Sequence, residues 1–185
     1  MASELLFAVK GEWVVAEESG AHLNERNLAW HVETSPKGRF EVHEKFLSQQ
    51  LTAGVRSQES FESEDAQVRR RRPFEVDIVK VPPGKWAWPR HYHSVQWEYY
   101  IVLSGHGEMV QDKGAASIPM APGAHIIQPP GWVHTIANTG DEDLVYYVIA
   151  DNPEDEHCYY PDSDKWAAAN RVYRPQDVGY WDGED

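Results

Sequence analysis

The chain has 185 residues, enough for one domain with additional segments, and 41% of them are hydrophobic, including 8 Trp and 9 Tyr, which suffices for a buried core. Its formal net charge of −13 argues against nucleic acid and anionic membranes as partners, because an acidic surface repels both. Because Cys158 is the only cysteine, no internal disulfide can form.

The sequence also lacks the signals of a membrane or secreted protein. No apolar run is long enough to span a membrane, and no basic-then-apolar leader stands at the start. We therefore expect a cytoplasmic protein with no membrane partner. The one basic run, at residues 69–72, is interpreted as an exposed loop before a strand rather than as an anion-docking patch.

Residues 1–72 are expected to be an extension of the main domain. Short apolar runs at 5–9, 13–16 and 28–32 alternate with turn-forming residues and predict strands at the edge of a larger sheet. A charged stretch at 57–72 has almost no apolar residues and predicts a loop. Too few residues precede that loop to build an independent core.

Residues 73–151 are predicted to form the core of the fold from short strands. Residues 74–81 alternate apolar and polar side chains, which is the period of a half-buried strand. Further strands, each bounded by Gly, Pro or Asn, are predicted at 98–103, 108–111, 124–128, 132–137 and 144–150. The strand at 108–111 is expected to pair antiparallel with the one before it. This spacing favours an all-β sandwich or barrel.

Residues 152–185 form an acidic tail that is rich in aromatic side chains. We expect the tail to pack back on the barrel, because exposing that much apolar area to water is unfavourable. It could cover one mouth of the barrel, but sealing a sheet edge is the default expectation. Asp162-Ser163-Asp164 before residues 165–169 predicts a short capped helix.

Three histidines and one glutamate form a candidate metal site. His91 and His93 point to the same face of a strand, with Tyr92 on the opposite face. A turn after His93 lets the next strand bring Glu98 beside them, and His134 reaches the same point if its strand is adjacent in a closed barrel. Such donors suit Fe(II), Mn(II), Ni(II), Cu(II) or Zn(II), and an octahedral metal would keep two positions for water, substrate or oxygen.

These residues resemble the two sequence motifs of the cupins. The first motif, Gly, His-x-His, Glu and Gly, is matched in order with one extra residue after its first glycine, and the second, Gly, Pro-x-Gly, His and Asn, is matched without a spacing change. The matching residues are Gly84, His91, His93, Glu98, Gly105, Gly123, Pro129, Gly131, His134 and Asn138.

The resemblance covers roughly residues 74–150 and implies a single cupin domain. It implies a small β barrel, the double-stranded β-helix, with the three histidines and the glutamate as ligands of one divalent transition metal. It also implies a homodimer, which an N-terminal segment such as residues 1–32 could form by strand exchange.

Aromatic and polar residues near these ligands are weaker candidates for a substrate pocket. They are Trp86, Trp88, Arg90, Gln96, Trp97, His125, Gln128 and Trp132. An aromatic wall would suit an apolar or ring-bearing substrate, but barrel packing accounts for such tryptophans as well. His125 and Gln128 differ in strand parity, so only one of them can face inward without a bulge. Tyr100 and Cys158 are expected to be structural, and no catalytic residue is assigned.

Three functions remain open for such a site. The preferred hypothesis is a dioxygenase-type oxygenation of a small molecule at a non-haem Fe(II) centre, since nitrogen-rich ligation suits iron. The second is isomerase, lyase or decarboxylase chemistry on a sugar or carboxylic acid, for which Lys85, Arg90 and Lys113 are the nearby cations. The third is non-catalytic capture of a small ligand. A cupin fold hosts many activities and does not choose among them.

Overall fold

A computed structural model describes residues 22–56, 73–112, 114–168 and 171–177. The regular elements of these residues are almost all β-strands, as the sequence predicts. Their elements in chain order are a 3-10 turn (Glu25–Asn27), β1 (His31–Thr34), β2 (Glu41–Phe46), α1 (Leu47–Arg56), β3 (Phe74–Val81), β4 (Tyr92–His93), β5 (Glu98–Ser104), β6 (Gly107–Gln111), β7 (Ile118–Met120), β8 (His125–Gln128), β9 (His134–Ala137), β10 (Leu144–Asp151), β11 (Cys158–Tyr160), β12 (Lys165–Ala168) and β13 (Arg171–Tyr173).

The strands form three antiparallel sheets. The largest has the order β1-β2-β3-β10-β5-β8, and the second has the order β7-β6-β9. The third, β13-β12-β11-β4, joins the C-terminal strands to a short strand of the central region. The all-β class and the barrel-like architecture expected from the sequence are therefore confirmed.

The hydrophobic core lies between the first two sheets, because both contribute fully buried side chains to one cluster. Val79 and Tyr146 come from the six-stranded sheet, and Met109 and Ile136 from the three-stranded sheet. Alternation along each strand sends these side chains inward and their neighbours outward. Burial of this apolar area is the main favourable term for the fold.

The predicted pairing of residues 108–111 with β5 is wrong. β6 pairs with β7 and β9 in the other sheet. Between β5 and β6, Gly105 has a φ of +76°, and a Cβ at this residue would overlap the backbone of Asp143. The chain therefore crosses between sheets at this glycine instead of folding back as a hairpin.

The predicted helix at residues 165–169 is also wrong, because β12 occupies 165–168 and pairs with β11. Asp164 takes a positive φ of 47° in the turn between them. Trp166 then packs against Tyr159, with ring centroids 4.6 Å apart. Cross-strand aromatic packing outweighs the local helix propensity of the alanines.

At the N-terminal side, the structure contains elements that the sequence analysis did not predict. β2 and α1 follow β1, and β2 pairs with β3 to extend the large sheet. The predicted strands at 5–9 and 13–16 and the predicted loop at 57–72 lie outside the described residues. Within the described part of the chain, no helix is both long enough and apolar enough to cross a membrane.

Candidate metal centre

Three strand starts bring the histidines and the glutamate together. Glu98 begins β5 and His134 begins β9. His91 stands just before β4 and pairs with His134 through two backbone hydrogen bonds, in which each amide donates to the carbonyl of the other residue. His93 ends β4, two residues further on, and therefore points to the same side as His91.

The ligand atoms of these side chains lie within a few ångströms of one another. Glu98 Oε2 is 3.1 Å from His134 Nε2 and 3.6 Å from His93 Nε2. One donor atom each from His91, Glu98 and His134 lies within 4.8 Å of the others. The four residues thus surround a common point, as the motif spacing predicts; their role as metal ligands remains a prediction.

Each imidazole forms a hydrogen bond from its Nδ1 to an oxygen acceptor. Nδ1–H of His91 donates to the carbonyl of Pro89 at 2.8 Å, and Nδ1–H of His134 donates to the carbonyl of Trp132 at 3.1 Å. A carbonyl can only accept, so both rings carry their proton on Nδ1 and present the Nε2 lone pair to the centre. His93 Nδ1 lies 2.9 Å from the carboxylate of Glu156 and is oriented in the same way.

A carboxylate oxygen in the middle of the cluster has no hydrogen-bond partner. Glu98 is buried, and its Oε2 has no hydrogen-bond partner among the described residues, although His134 Nε2 lies 3.1 Å away. A buried anionic oxygen without a partner is costly unless a cation compensates it. Three Nε2 lone pairs beside this oxygen supply the donors that a divalent transition metal prefers. The donor set therefore fits a metal ion.

The protonation states of the cluster also suit metal binding. Burial, followed by the charges of neighbouring histidines, lowers the pKa of His91 to about 3, so this ring is neutral at physiological pH. Burial alone would raise the pKa of Glu98, but the close contact with His134 and the charges of the other two histidines lower it to about 2. The carboxylate is therefore ionised.

Tyr100 contacts the cluster, although the sequence analysis expected it to be structural. Its hydroxyl donates to His134 Nε2 at 3.2 Å. Burial and the charge of Glu98 raise the pKa of Tyr100 well above its usual value. Tyr100 therefore keeps its proton and acts as a hydrogen-bond donor beside the centre.

Among the proposed pocket residues, Gln128 is paired directly with a candidate ligand. It stands directly opposite Glu98 in the pairing of β5 with β8, and its side chain is buried. Its Oε1 has no hydrogen-bond partner among the described residues, while its Nε2 points to the sulfur of Met109. His125, on the same strand, is exposed and hydrogen-bonds Tyr99 instead.

Two other polar candidates are engaged elsewhere. Arg90 forms ion pairs with Asp112 and Asp162. Gln96 donates from its side-chain amide to the backbone carbonyl of Asp151. These contacts anchor loops rather than present free polar groups to the centre.

The four tryptophans do not form one aromatic wall. Trp97 and Trp132 are about half exposed, at 48% and 57%. Trp86 lies under the guanidinium of Arg39, and Trp88 packs against the core. The tryptophans are thus distributed between the surface and the packed interior.

The structure adds three residues that the sequence analysis did not connect with the site. Pairing of β11 with β4 sets Cys158 opposite His93. Cys158 Sγ lies within 4.8 Å of the donor atoms of His91 and His93, and the ring of Tyr160 lies 5.8 Å from that of His91. Glu156 precedes this strand and contacts His93. No local sequence pattern links residues about 60 positions apart; only the strand pairing does.

The cysteine is in its neutral form at this position. Burial raises the pKa of the Cys158 thiol to about 12. Burial likewise raises the pKa of the Tyr160 hydroxyl well above its usual value, so this side chain is also neutral. Both side chains therefore contribute an uncharged wall to one side of the centre.

The fold and the site define a class: a small antiparallel β barrel that gathers three histidines and one glutamate in its interior. Residues 77–150 match the family model described as "Cupin domain". The chain therefore contains a cupin domain. Further segments of the chain lie on both sides of the matched residues.

Known proteins with similar sequences include a glucose-6-phosphate isomerase from Pyrococcus abyssi, 41% identical over 64 residues that cover 32% of this chain and 34% of that protein. A glucose-6-phosphate isomerase from Thermococcus onnurineus is 36% identical over the same length and share of each chain. The match thus spans about a third of the length of these curated relatives.

Among solved structures, a sugar phosphate isomerase of the cupin superfamily from Silicibacter pomeroyi has a TM-score of 0.52 and 26% identity, and covers 71% of this chain and 74% of that one. This likeness reaches well beyond residues 77–150 and therefore includes part of the extensions.

Proposed function

We propose that this protein is a metal-dependent enzyme that isomerises a small hydroxycarbonyl compound of the sugar type. The observation that carries the proposal is the convergence of three Nε2 lone pairs on the unpartnered Oε2 of Glu98. A divalent metal bound there polarises a carbonyl and lowers the barrier to removal of the neighbouring proton. The names of the isomerases that match over 64 residues support this choice of reaction.

The residues around the centre supply binding groups for such a substrate. The hydroxyl of Tyr100 can donate a hydrogen bond to a substrate oxygen once a metal takes the lone pair of His134. The amide of Gln128 offers a buried acceptor on the adjacent strand. An enclosed polar pair of this kind orients a small oxygen-rich molecule.

A phosphate group on the substrate has less support. Arg90 is neutralised by two aspartates, and Lys85 lies 3.6 Å from Glu41 and donates to the carbonyl of Gly38. Cations that are already paired attract a phosphate weakly. We therefore propose an aldose or ketose without a required phosphate as the first substrate class to test.

Oxygenation at Fe(II) is the second candidate. It is favoured by the three-nitrogen donor set and by the neutral aromatic side chains of Tyr100 and Tyr160 beside it, which suit a less polar substrate. This was the preferred hypothesis from the sequence, and it remains a prediction.

Two assays on the same metal-loaded protein separate these candidates. Protein reconstituted in turn with Fe(II), Mn(II), Ni(II) and Zn(II) is incubated in D2O with phosphorylated and unphosphorylated aldoses and ketoses. Isomerisation exchanges the proton next to the carbonyl for deuterium, which proton NMR detects. Oxygen uptake with catechol, diketone and thiol substrates is measured in parallel.

The proposal predicts deuterium exchange that requires metal and is lost in Glu98→Gln. Oxygen uptake without exchange would replace isomerisation by oxygenation. Binding of a sugar without either reaction would show a ligand carrier and contradict both enzymatic proposals.

A further inference from the structure

A carboxylate from outside the matched family domain reaches the metal centre. Glu156 follows β10 and precedes β11, beyond the end of the match at residue 150. Its side chain is largely buried, at 19% exposure, and its Oε1 lies 2.9 Å from Nδ1 of His93. Glu156 and His93 are 63 positions apart in the sequence.

The same carboxylate holds the loop that follows His93. Oε1 accepts a hydrogen bond from the amide of Ser94, and Oε2 accepts from the amides of Val95 and Gln96 at 3.1 and 2.8 Å. The hydroxyl of Ser94 adds contacts to Glu156 and accepts from the amide of His157. Three successive amides make a pocket for an anion, and the Glu156 carboxylate fills it.

This arrangement fixes the histidine in one orientation. With its Nδ1–H donated to a carboxylate, His93 can present only Nε2 to the centre, where Glu98 Oε2 lies 3.6 Å away. A charged acceptor also makes the ring a better electron donor, and loss of such a partner typically costs a factor of 10–100 in metal affinity. His91 and His134 instead donate their Nδ1–H to backbone carbonyls, which carry no net charge.

We propose that Glu156 is a positioning residue that orients and activates His93 for metal binding, and that the cupin centre of this chain is complete only with its C-terminal extension. The inference rests on the metal site of the proposed function, but not on the reaction assigned to it.

A purely structural role for Glu156 makes different predictions. If the Glu156 carboxylate only fastened the loop, another substitution that weakens the loop would reduce metal affinity as much as the loss of this carboxylate does. Ser94→Ala tests this, because it removes the hydroxyl contacts of the loop and leaves the contact between Glu156 and His93 in place. Asp155→Asn is the matched control for charge, since it removes one negative charge at the adjacent residue.

The experiment measures Mn(II) and Zn(II) affinity of the full chain by calorimetry for wild type, Glu156→Gln, Ser94→Ala and Asp155→Asn. We expect Glu156→Gln to lose a factor of about 10–100 in affinity, and the other two to stay within about threefold of wild type. Proton–nitrogen NMR of the Zn(II)-loaded protein should show a deshielded, slowly exchanging Nδ1–H of His93, which Glu156→Gln shifts upfield.

Equal affinity in Glu156→Gln and wild type would overturn the inference, as would an equal loss in Ser94→Ala. If Glu156→Gln does not fold, the wild-type spectrum decides, because the absence of a protected His93 Nδ1–H contradicts the proposed contact. Failure of wild type itself to bind metal would overturn the proposed function as well, so the two failures are distinguishable.

Discussion

At the residue scale, the electrostatic environment of single carboxyl groups varies sharply across the molecule. Glu98 is surrounded by imidazoles, which lower its pKa to about 2, while burial and three nearby carboxylates raise the pKa of Glu44 to about 7. The first group favours a cation beside it. The second lies on β2, in a different sheet from the strands of His93 and His134, and makes the fold sensitive to pH.

Glu44→Gln should stabilise the protein increasingly as pH rises above about 4.5, and most above neutral pH. The folded-state pKa of Glu44 is about 7, against an ordinary value of 4.5, so the folded protein binds the proton more tightly than the unfolded chain. Stability is therefore lost as pH rises from about 4.5 to 7. Removing the ionisable group should raise the free energy of unfolding by about 1–3 kcal/mol at pH 8.

Urea denaturation at pH 5 and pH 8 measures this effect, with Glu108→Gln on the exposed face of β6 as the control. We expect a much smaller gain for Glu44→Gln at pH 5 than at pH 8, and no gain for the control at either pH. A similar gain at both pH values would contradict the burial of an ionised Glu44.

At the residue scale, the motifs predict the candidate ligands but not the hydrogen-bond partners of their rings. Strand parity is a local property and places His91 and His93 on one face. His134 joins them only through its non-local pairing with His91. The acceptor of each Nδ1 was not predictable, since Glu156 reaches His93 only through non-local pairing of strands. The contact of Tyr100 with His134 was not predictable for the same reason.

At the scale of elements, strand positions were more predictable than strand partners. The alternation at 74–81 coincides with β3, and the apolar run at 144–150 coincides with β10 to within one residue. The partner of β6 and the strand at 165–168 were predicted wrongly. Local alternation carries information about which residues are buried, but the choice of sheet depends on contacts that are distant in sequence.

Two motif glycines offer a matched test of the crossing between the sheets. Gly105 and Gly84 have nearly equal positive φ values, +76° and +70°, so an alanine at either residue is strained. A Cβ at Gly105 would overlap the carbonyl of Asp143, whereas a Cβ at Gly84 would meet nothing within 4 Å. Gly84→Ala should cost about 1–2 kcal/mol, and Gly105→Ala about 1–3 kcal/mol more, from overpacking.

Chemical denaturation of both variants measures the difference. If both variants lose the same stability, the backbone of Asp143 can move away from an added Cβ. The crossing between the sheets would then not require a glycine at residue 105.

At the scale of the whole molecule, the cupin domain is joined to segments that extend its sheets. β1 and β2 continue the large sheet at one edge, and β11–β13 build a third sheet on β4. The second extension contributes Glu156, Cys158 and Tyr160 to the surroundings of the histidines. The homodimer expected from the resemblance remains a prediction, and light scattering of the purified chain measures it.

The central claim is that the three histidines and Glu98 bind one divalent metal ion. Elemental analysis after reconstitution and desalting tests it for wild type, His134→Ala and His22→Ala; the last removes an exposed histidine outside the cluster. The account predicts about one metal ion per chain in wild type and His22→Ala, and loss of most of it in His134→Ala. Unchanged metal content in His134→Ala, or none in wild type, would contradict it.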